Sequence, residues 1–428
     1  MLLNKFSQRN RLRHFVGDGI WASVCDGLAE SNFNAFATAL SASVSHISYL
    51  TSSQNLVGCW LQLWSEKLVK KTGSRKRMVL LCVSLQIATL ATMLLSALCG
   101  VRAVLFMVLS LIFTVLGGLS GPVWSAWVSE LIPSQRRGFC FGIRNQRTYP
   151  AQFVALLLGG LVLQNFSELF SGNRSTQIAF SAIFLFGMIA KSISLYHLFL
   201  QPETHSVLPS TALGPLQIVR EGYEDPQLQR MILFFGVMGF SVNLSGPFQT
   251  PFLLQTLRYG YLPFASVTAT LVMSRFLAAP TMGRILDRVG YQKPLLISTL
   301  LMPGIPLGWA LSHNYYWILG IQVYGGFVWT AFDLSVFSFL TESTPSKKRQ
   351  IAFSLKQISF NLASCGGALM GGYLMTHSKS PLIIYWASTL GRLTAILFVF
   401  RMIHFSPLSD TMNSSLKKID ISIKLFKG

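Results

Sequence analysis

Apolar residues in this chain run in long blocks, not in the alternating or one-turn patterns of half-buried strands and surface helices. The blocks fall at about 16–42, 46–66, 78–99, 104–127, 139–163, 176–199, 231–254, 264–286, 294–312, 316–340, 352–375 and 381–400. Each approaches the roughly 20 residues that a helix needs to cross the hydrocarbon core of a bilayer. The pattern predicts an all-α, multi-pass integral membrane protein with twelve transmembrane helices. Pro122, Pro150, Pro247, Pro251, Pro280, Pro303 and Pro306 lie inside these blocks. Such positions break helices in water but are tolerated in membranes, where neighbouring helices re-satisfy the freed backbone groups.

Few ionisable residues interrupt the blocks. Asp18, Asp26 and Glu30 stand in the first, Arg144 and Arg147 in the fifth, and Lys191 in the sixth. Arg275, Asp333, Lys356 and Arg392 stand in the eighth, tenth, eleventh and twelfth. Three acids in the first block also distinguish it from a secretory signal peptide, whose apolar region is continuous, so it is read as an uncleaved span.

Composition agrees with this reading. Of the 428 residues 51% are hydrophobic and only 12% are charged, against roughly a quarter charged in soluble proteins. A net charge of +20 raises the question of nucleic acid, and the placement of the cations answers it. Twelve spans put both termini on one side. That side collects Lys5, Arg9, Arg11 and Arg13, then Lys67, Lys70, Lys71, Arg75, Lys76 and Arg77. It also carries most cations of the later alternate loops and of the tail, whereas the opposite loops hold only Arg102, Arg174, Arg258 and Lys379. Basic loops stay cytoplasmic, so both termini are expected inside, and the charge is a topology signal without a nucleic-acid partner. The six cysteines sit in or beside apolar blocks with no C-x-x-C pair, as packing residues do. No phosphate loop, zinc-binding histidine pair or nucleophile elbow is present, so neither an enzyme, a cofactor nor a metal is expected.

The chain also repeats itself. SELIPSQRRGFCFGIRN (129–145) returns in register as LTESTPSKKRQIAFSLKQ (340–357): Glu130 matches Glu342, Pro133 matches Pro345, Arg137 matches Arg349 and Phe141 matches Phe353. The same register lays Arg144 on Lys356 and Gly159-Gly160 on Gly371-Gly372. A proline-bearing loop separates the copies. The expected organisation is an arm (1–14), a first six-helix half (15–199), a cytoplasmic linker (200–230), a second half (231–400) and a basic tail (401–428). Internal repeats of this kind are common where two halves rock around a central site.

Two six-helix halves, termini inside and a long central loop together resemble the major facilitator superfamily. MGRILDRVGYQK (282–293) is similar to that superfamily's G-x-x-x-D-R-x-G-R-K loop, with Gly283, Asp287, Arg288, Gly290 and Lys293 in the matching places and Tyr291 replacing a basic residue. The counterpart EKLVKKTGSRK (66–76) keeps Gly73, Arg75 and Lys76 but has Lys70 where the acid belongs. The drug-antiporter signature of helix five is not met by TYPAQFVALLLGG (148–160). The resemblance implies a pseudo-symmetric fold, a cavity between the halves lined in part by helices eight and ten, and helices six and twelve at the periphery. Lys191 and Arg392 are then expected to snorkel or pack.

A charge at mid-membrane costs a few kcal/mol or more unless it has a partner or water. Asp26 and Glu30 are one turn apart, with Asn34 a turn beyond, which makes the two acids candidates for a proton or cation site. Asp18, nearer the helix end, is expected to be solvated. Arg144 and Arg147 with Thr148, Lys356 with Gln357 and Asn361, and the pair Arg275 and Asp333 are candidates for holding an anionic group or for pairing with one another. Glu130, Arg137, Asp287, Arg288, Glu342 and Arg349 are candidates for a cytoplasmic gate of ion pairs that break on opening. Four deep cations against three acids lean towards an anionic or zwitterionic solute. The expected function is secondary active transport of a small organic solute by alternating access, coupled to a proton or another cation, in a monomer of the plasma (inner) membrane. A uniporter, a drug-type exporter and a non-transporting sensor or assembly protein of the same fold stay open at this point.

Overall fold

The computed structural model describes residues 2–100, 103–132, 137–169, 173–203, 220, 224–344, 349–378 and 380–403. Among the described residues the predicted spans are helical apart from short breaks, and no strand is present. The helices are α1 (Leu2–Leu28), α2 (Phe33–Ala39), α3 (Val44–Thr72), α4 (Arg75–Leu98), α5 (Ala103–Leu131), α6 (Arg137–Leu169) and α7 (Asn173–Leu200). They continue as α8 (Pro226–Asn243), α9 (Tyr261–Val289), α10 (Gln292–Leu301), α11 (Gly304–Leu311), α12 (Tyr315–Glu342), α13 (Arg349–His377) and α14 (Ile383–Ile403). Nine helical stretches among the described residues are long and apolar enough to cross a membrane. The predicted first, second and eleventh spans (α1–α2, α3 and α13) are not among those nine.

Prolines act according to position. Pro122, Pro150 and Pro280 lie within unbroken helices. Elsewhere the backbone breaks, at 29–32, around 244–251 and at 302–303. Pro306 has no N–H for the carbonyl of Met302, its partner four residues back. The Arg392 guanidinium supplies a donor instead, at 3.1 Å. Only 4% exposed, Arg392 packs inside rather than snorkelling. The tight turns after α3 and α9 each use a glycine with φ of +74°, Gly73 and Gly290, a region that side-chain-bearing residues rarely enter. Both belong to the loop motifs read from the sequence. Outward-facing residues such as Leu81, Leu85, Leu95, Phe186, Leu277, Phe337 and Leu397 are exposed, an apolar exterior suited to lipid.

The side bearing those two glycine turns is the near side; the opposite one, with the loops before α3 and α9, is the far side. Close contacts between the first seven helices and the last seven cluster towards the far side. Ser48 donates to the carbonyl of Ala368 at 2.7 Å and Ser52 to that of Cys365 at 3.1 Å, joining α3 to α13. A Cβ on Gly160 would stand 2.5 Å from that of Ala265, and one on Gly372 would stand 2.5 Å from that of Ser48. The repeated glycine pair therefore serves equivalent crossings, α6 with α9 and α13 with α3. Nearer the near side, Tyr149 meets Phe276 with ring centroids 6.4 Å apart.

Candidate functional site

The intramembrane charges assemble into two clusters. The first forms where α1 packs between α6 and α7. Gly19 leaves room for Arg144, since a Cβ there would lie 2.5 Å from its Nε. Arg144 therefore turns inward, 4.5 Å from the Trp124 ring and 5.4 Å from that of Phe15, with Nη2 3.5 Å from Asp18 Oδ2. The other Asp18 oxygen accepts a 2.8 Å hydrogen bond from Ser194. Expected to be solvated, Asp18 is instead 3% exposed, because a guanidinium and a hydroxyl from two neighbouring helices compensate its lost water. Filling the gap should undo this. Gly19→Val is expected to displace Arg144 and destabilise the protein by about 1–3 kcal/mol, read as a lower thermal midpoint in detergent.

Lys191, placed at the periphery by resemblance, is also inside. It is 9% exposed, with Nζ 5.6 Å from the centroid of Phe113, and it lies within electrostatic range of Asp18, Asp26 and Glu30. A signal for it existed in the sequence, because Lys191, Ser194 and His197 recur at helical spacing along one face of span six. His197 meets His14 across α1, Nδ1 to Nδ1 at 3.0 Å.

Glu30 opens the 3-10 turn Glu30–Asn32 at the break between α1 and α2. The Asn32 amide donates to the carbonyl of Leu28 at 2.8 Å, satisfying an acceptor that the break frees. Asp26 and Glu30 are within hydrogen-bonding reach of each other. Two neighbouring carboxyls out of bulk water can hold one proton between them, because ionising both places like charges side by side.

The second cluster joins α9, α12 and α13. Arg275 Nη2 lies 3.5 Å from Asp333 Oδ2, with their side chains 33% and 55% exposed. The guanidinium stands 5.7 Å from the Trp329 ring. Lys356 lies 5.8 and 5.6 Å from the rings of Phe235 and Phe360 and within electrostatic range of Asp333. Two cations thus converge on one accessible carboxylate, about 14 Å of helix from the near-side end of α12. A carboxylate or phosphate from outside would meet the guanidinium that pairs with Asp333 and the ammonium near it.

The remaining candidates separate. Arg147 does not join Arg144; although three residues on and near the same face of α6, it is exposed with Asn145 and Gln146. Asp287, Arg288 and Glu342 are exposed at the near side and form no ion pair among the described residues. The side chains of Glu130, Arg137 and Arg349, with the elbows 133–136 and 345–348, lie outside the described residues. Lys76, a motif residue given no role from sequence, donates to the carbonyls of Phe199 and Gln201 at 2.8 and 2.7 Å, tying the α3–α4 turn to the end of α7.

The family model described as Major Facilitator Superfamily matches residues 20–276 and 231–418. An uncharacterized MFS-type transporter of Bacillus subtilis (strain 168), YhjO, is 24% identical over 177 residues, 41% of this chain and 39% of that protein. A gallate transporter of Pseudomonas putida is 26% identical over 139 residues, 32% of this chain and 31% of that protein. The matched stretch spans well under half the length of either curated relative. Among solved structures, a mutant of the nucleoside transporter NupG superposes with a TM-score of 0.71 at 12% identity, over 92% of this chain and 99% of that one; at that identity the likeness is one of fold.

Proposed function

This chain belongs to the major facilitator superfamily, and we propose on that premise that it carries a small organic solute bearing an anionic group across the plasma membrane by alternating access. The observation that carries the reading is the Arg275–Asp333–Lys356 cluster. Its charges are accessible although they lie within membrane-spanning helices, and its two cations are arranged to receive a carboxylate or phosphate. The gallate transporter among the relatives is consistent with such a solute, gallate being a carboxylate. The far-side contacts support a state closed on that side and accessible from the near side. The basic loops make the near side cytoplasmic, and the working unit is a monomer of two six-helix halves.

Coupling is assigned to Asp26 and Glu30. One proton held between them would be taken up from one side and released to the other as the halves rock. Glu130, Arg137, Asp287, Arg288, Glu342 and Arg349 would re-form ion pairs when the cytoplasmic side closes. Each pair contributes only about 0–1 kcal/mol, enough in sum to bias two nearly balanced states.

The test starts from a thermal-shift screen of the purified full-length chain against carboxylates, phosphorylated metabolites, sugars and nucleosides at two pH values. A ligand that binds the folded state raises its apparent stability. Stabilisation by anionic solutes, followed by their pH-driven accumulation in proteoliposomes, is the expected outcome. Stabilisation confined to uncharged solutes overturns the anionic assignment. Glu30→Gln is expected to abolish accumulation driven by a proton gradient while leaving solute exchange in place. Undiminished accumulation in both Glu30→Gln and Asp26→Asn removes the coupling role, and gradient-independent counterflow selects a uniporter.

A further inference from the structure

The interface between α1 and α7 holds more ionisable groups than coupling through Asp26 and Glu30 needs. From α1 it receives His14, Asp18, Cys25 and Asp26; from the turn after α1, Glu30; from α6, Arg144; from α7, Lys191 and His197. The imidazoles face each other at the near-side end, and Cys25 is a buried free thiol. What remains is three carboxyls and two cations.

Two contacts set the register. Gly187 faces Ala29, where a Cβ on the glycine would stand 2.8 Å from that of the alanine. Ser194 meets Asp18 at 2.8 Å. Lys191 lies between them on α7, so its ammonium is carried into the stretch of α1 between Asp18 and Glu30. Arg144 is committed to Asp18 and is held over Phe15 and Trp124. Arg144 also lies within electrostatic range of Asp26, but Lys191 is the cation within range of both Asp26 and Glu30.

We propose that Lys191 is the built-in counter-cation of the Asp26–Glu30 pair and sets its proton occupancy at one. With Arg144 against Asp18 and Lys191 against the acid pair, the cluster is electrically neutral when the pair holds a single shared proton. A second proton leaves it one charge positive, and loss of the first leaves it one charge negative. Either imbalance inside a membrane is costly. The proton enters and leaves as hydronium at a carboxyl oxygen, and the lysine stays an ammonium throughout. Lys191 is thus a positioning residue for the proton, outside the solute's path. The inference rests on the proposed coupling role of the acid pair.

The test needs no solute. The infrared C=O stretch of protonated carboxyls is followed against pH in the purified full-length protein, and the Asp26–Glu30 signal is identified as the part lost in Glu30→Gln. Lys191→Gln removes a positive charge, so this signal is expected to persist to higher pH by about one unit or more. Asp18→Asn removes a negative charge and is expected to move it the other way. The double variant should return close to the wild-type midpoint, and Lys191→Arg should match wild type. A structural role for Lys191 would not produce opposite shifts that cancel. If Lys191→Gln does not fold, Asp18→Asn and Lys191→Arg still decide, since the inference requires a shift to lower pH in the first and none in the second. A titrating carboxyl insensitive to both charge changes overturns this inference alone. If wild type has no titrating carboxyl that Glu30→Gln removes, the coupling role falls with it.

Discussion

Gly160→Val is expected to move the protein out of its far-side-closed state. The added Cβ would stand 2.5 Å from that of Ala265 and 3.2 Å from the carbonyl oxygen of Tyr261, a backbone atom that cannot swing aside. Overpacking of this kind costs about 1–3 kcal/mol, which corresponds to a shift of roughly fivefold to a hundredfold between two states. The clash exists only where α6 and α9 touch, so the open form is relieved of it and its share rises. The measurement is labelling of a cysteine reporter, R147C, by a membrane-impermeant maleimide applied from the near side, after subtracting the labelling of the native cysteines. Arg147 is exposed in this state, so R147C labelling is expected to fall when Gly160→Val is added, by a factor that approaches the shift in equilibrium where the two states are nearly balanced. Unchanged labelling in a folded protein would mean that the α6–α9 crossing does not separate the two states of the proposed cycle. Gly372→Val, at the equivalent α13–α3 crossing, should behave alike.

The second large effect is expected at the accessible cluster, where two substitutions should act in opposite directions. Arg275→Ala removes one of the two cations that would receive the anionic group. Hydrogen bonds to charged groups contribute about 1.5–3 kcal/mol, so affinity for the anionic solute selected by the screen should fall roughly tenfold to a hundredfold. Asp333→Asn removes the carboxylate that occupies Arg275 in this structure, 3.5 Å away. Freed from that competitor, Arg275 and Lys356 should hold the solute at least as tightly as in wild type. Titration calorimetry on both variants checks the pair of outcomes. Equal losses in Arg275→Ala and Asp333→Asn would show that the ion pair is needed intact, as a structural bridge or as a gate. A solute insensitive to either change would place its binding elsewhere.

The all-helical architecture was legible because its cause is local. Blocks of about 20 apolar residues leave the backbone no partner in lipid except itself. The repeated glycine pair and the loop glycines, Gly73 and Gly290, were visible as positions, although the surfaces that needed them were not. The acids of span one and the charges of spans five, eight, ten and eleven could be named, since an ionisable residue in an apolar block stands out by contrast alone. Span six left Lys191 to snorkel or to pack. Lys191 was weighed by the place its helix takes in a resembling fold, whereas its environment depends on the rotation of α7 against α1. That rotation follows from the close approach of Gly187 to Ala29, a contact between residues 158 positions apart.

Asp18 carries the same lesson at the helix end. Distance along the chain from the apolar centre suggested water, but Arg144 and Ser194 arrive from helices more than a hundred residues away and replace it. The sequence by itself determined that the chain spans a membrane as helices, where its polar interruptions fall, and that one pattern is written twice. These depend on hydrophobicity and spacing, which are properties of neighbours in the chain. Only the tertiary structure decided which charges meet. It separated Asp18, Asp26, Glu30, Arg144 and Lys191 from Arg275, Asp333 and Lys356, and left Arg147 on an exposed face. Ion pairing falls off within a few ångströms, and helix rotation alone moves a side chain farther than that.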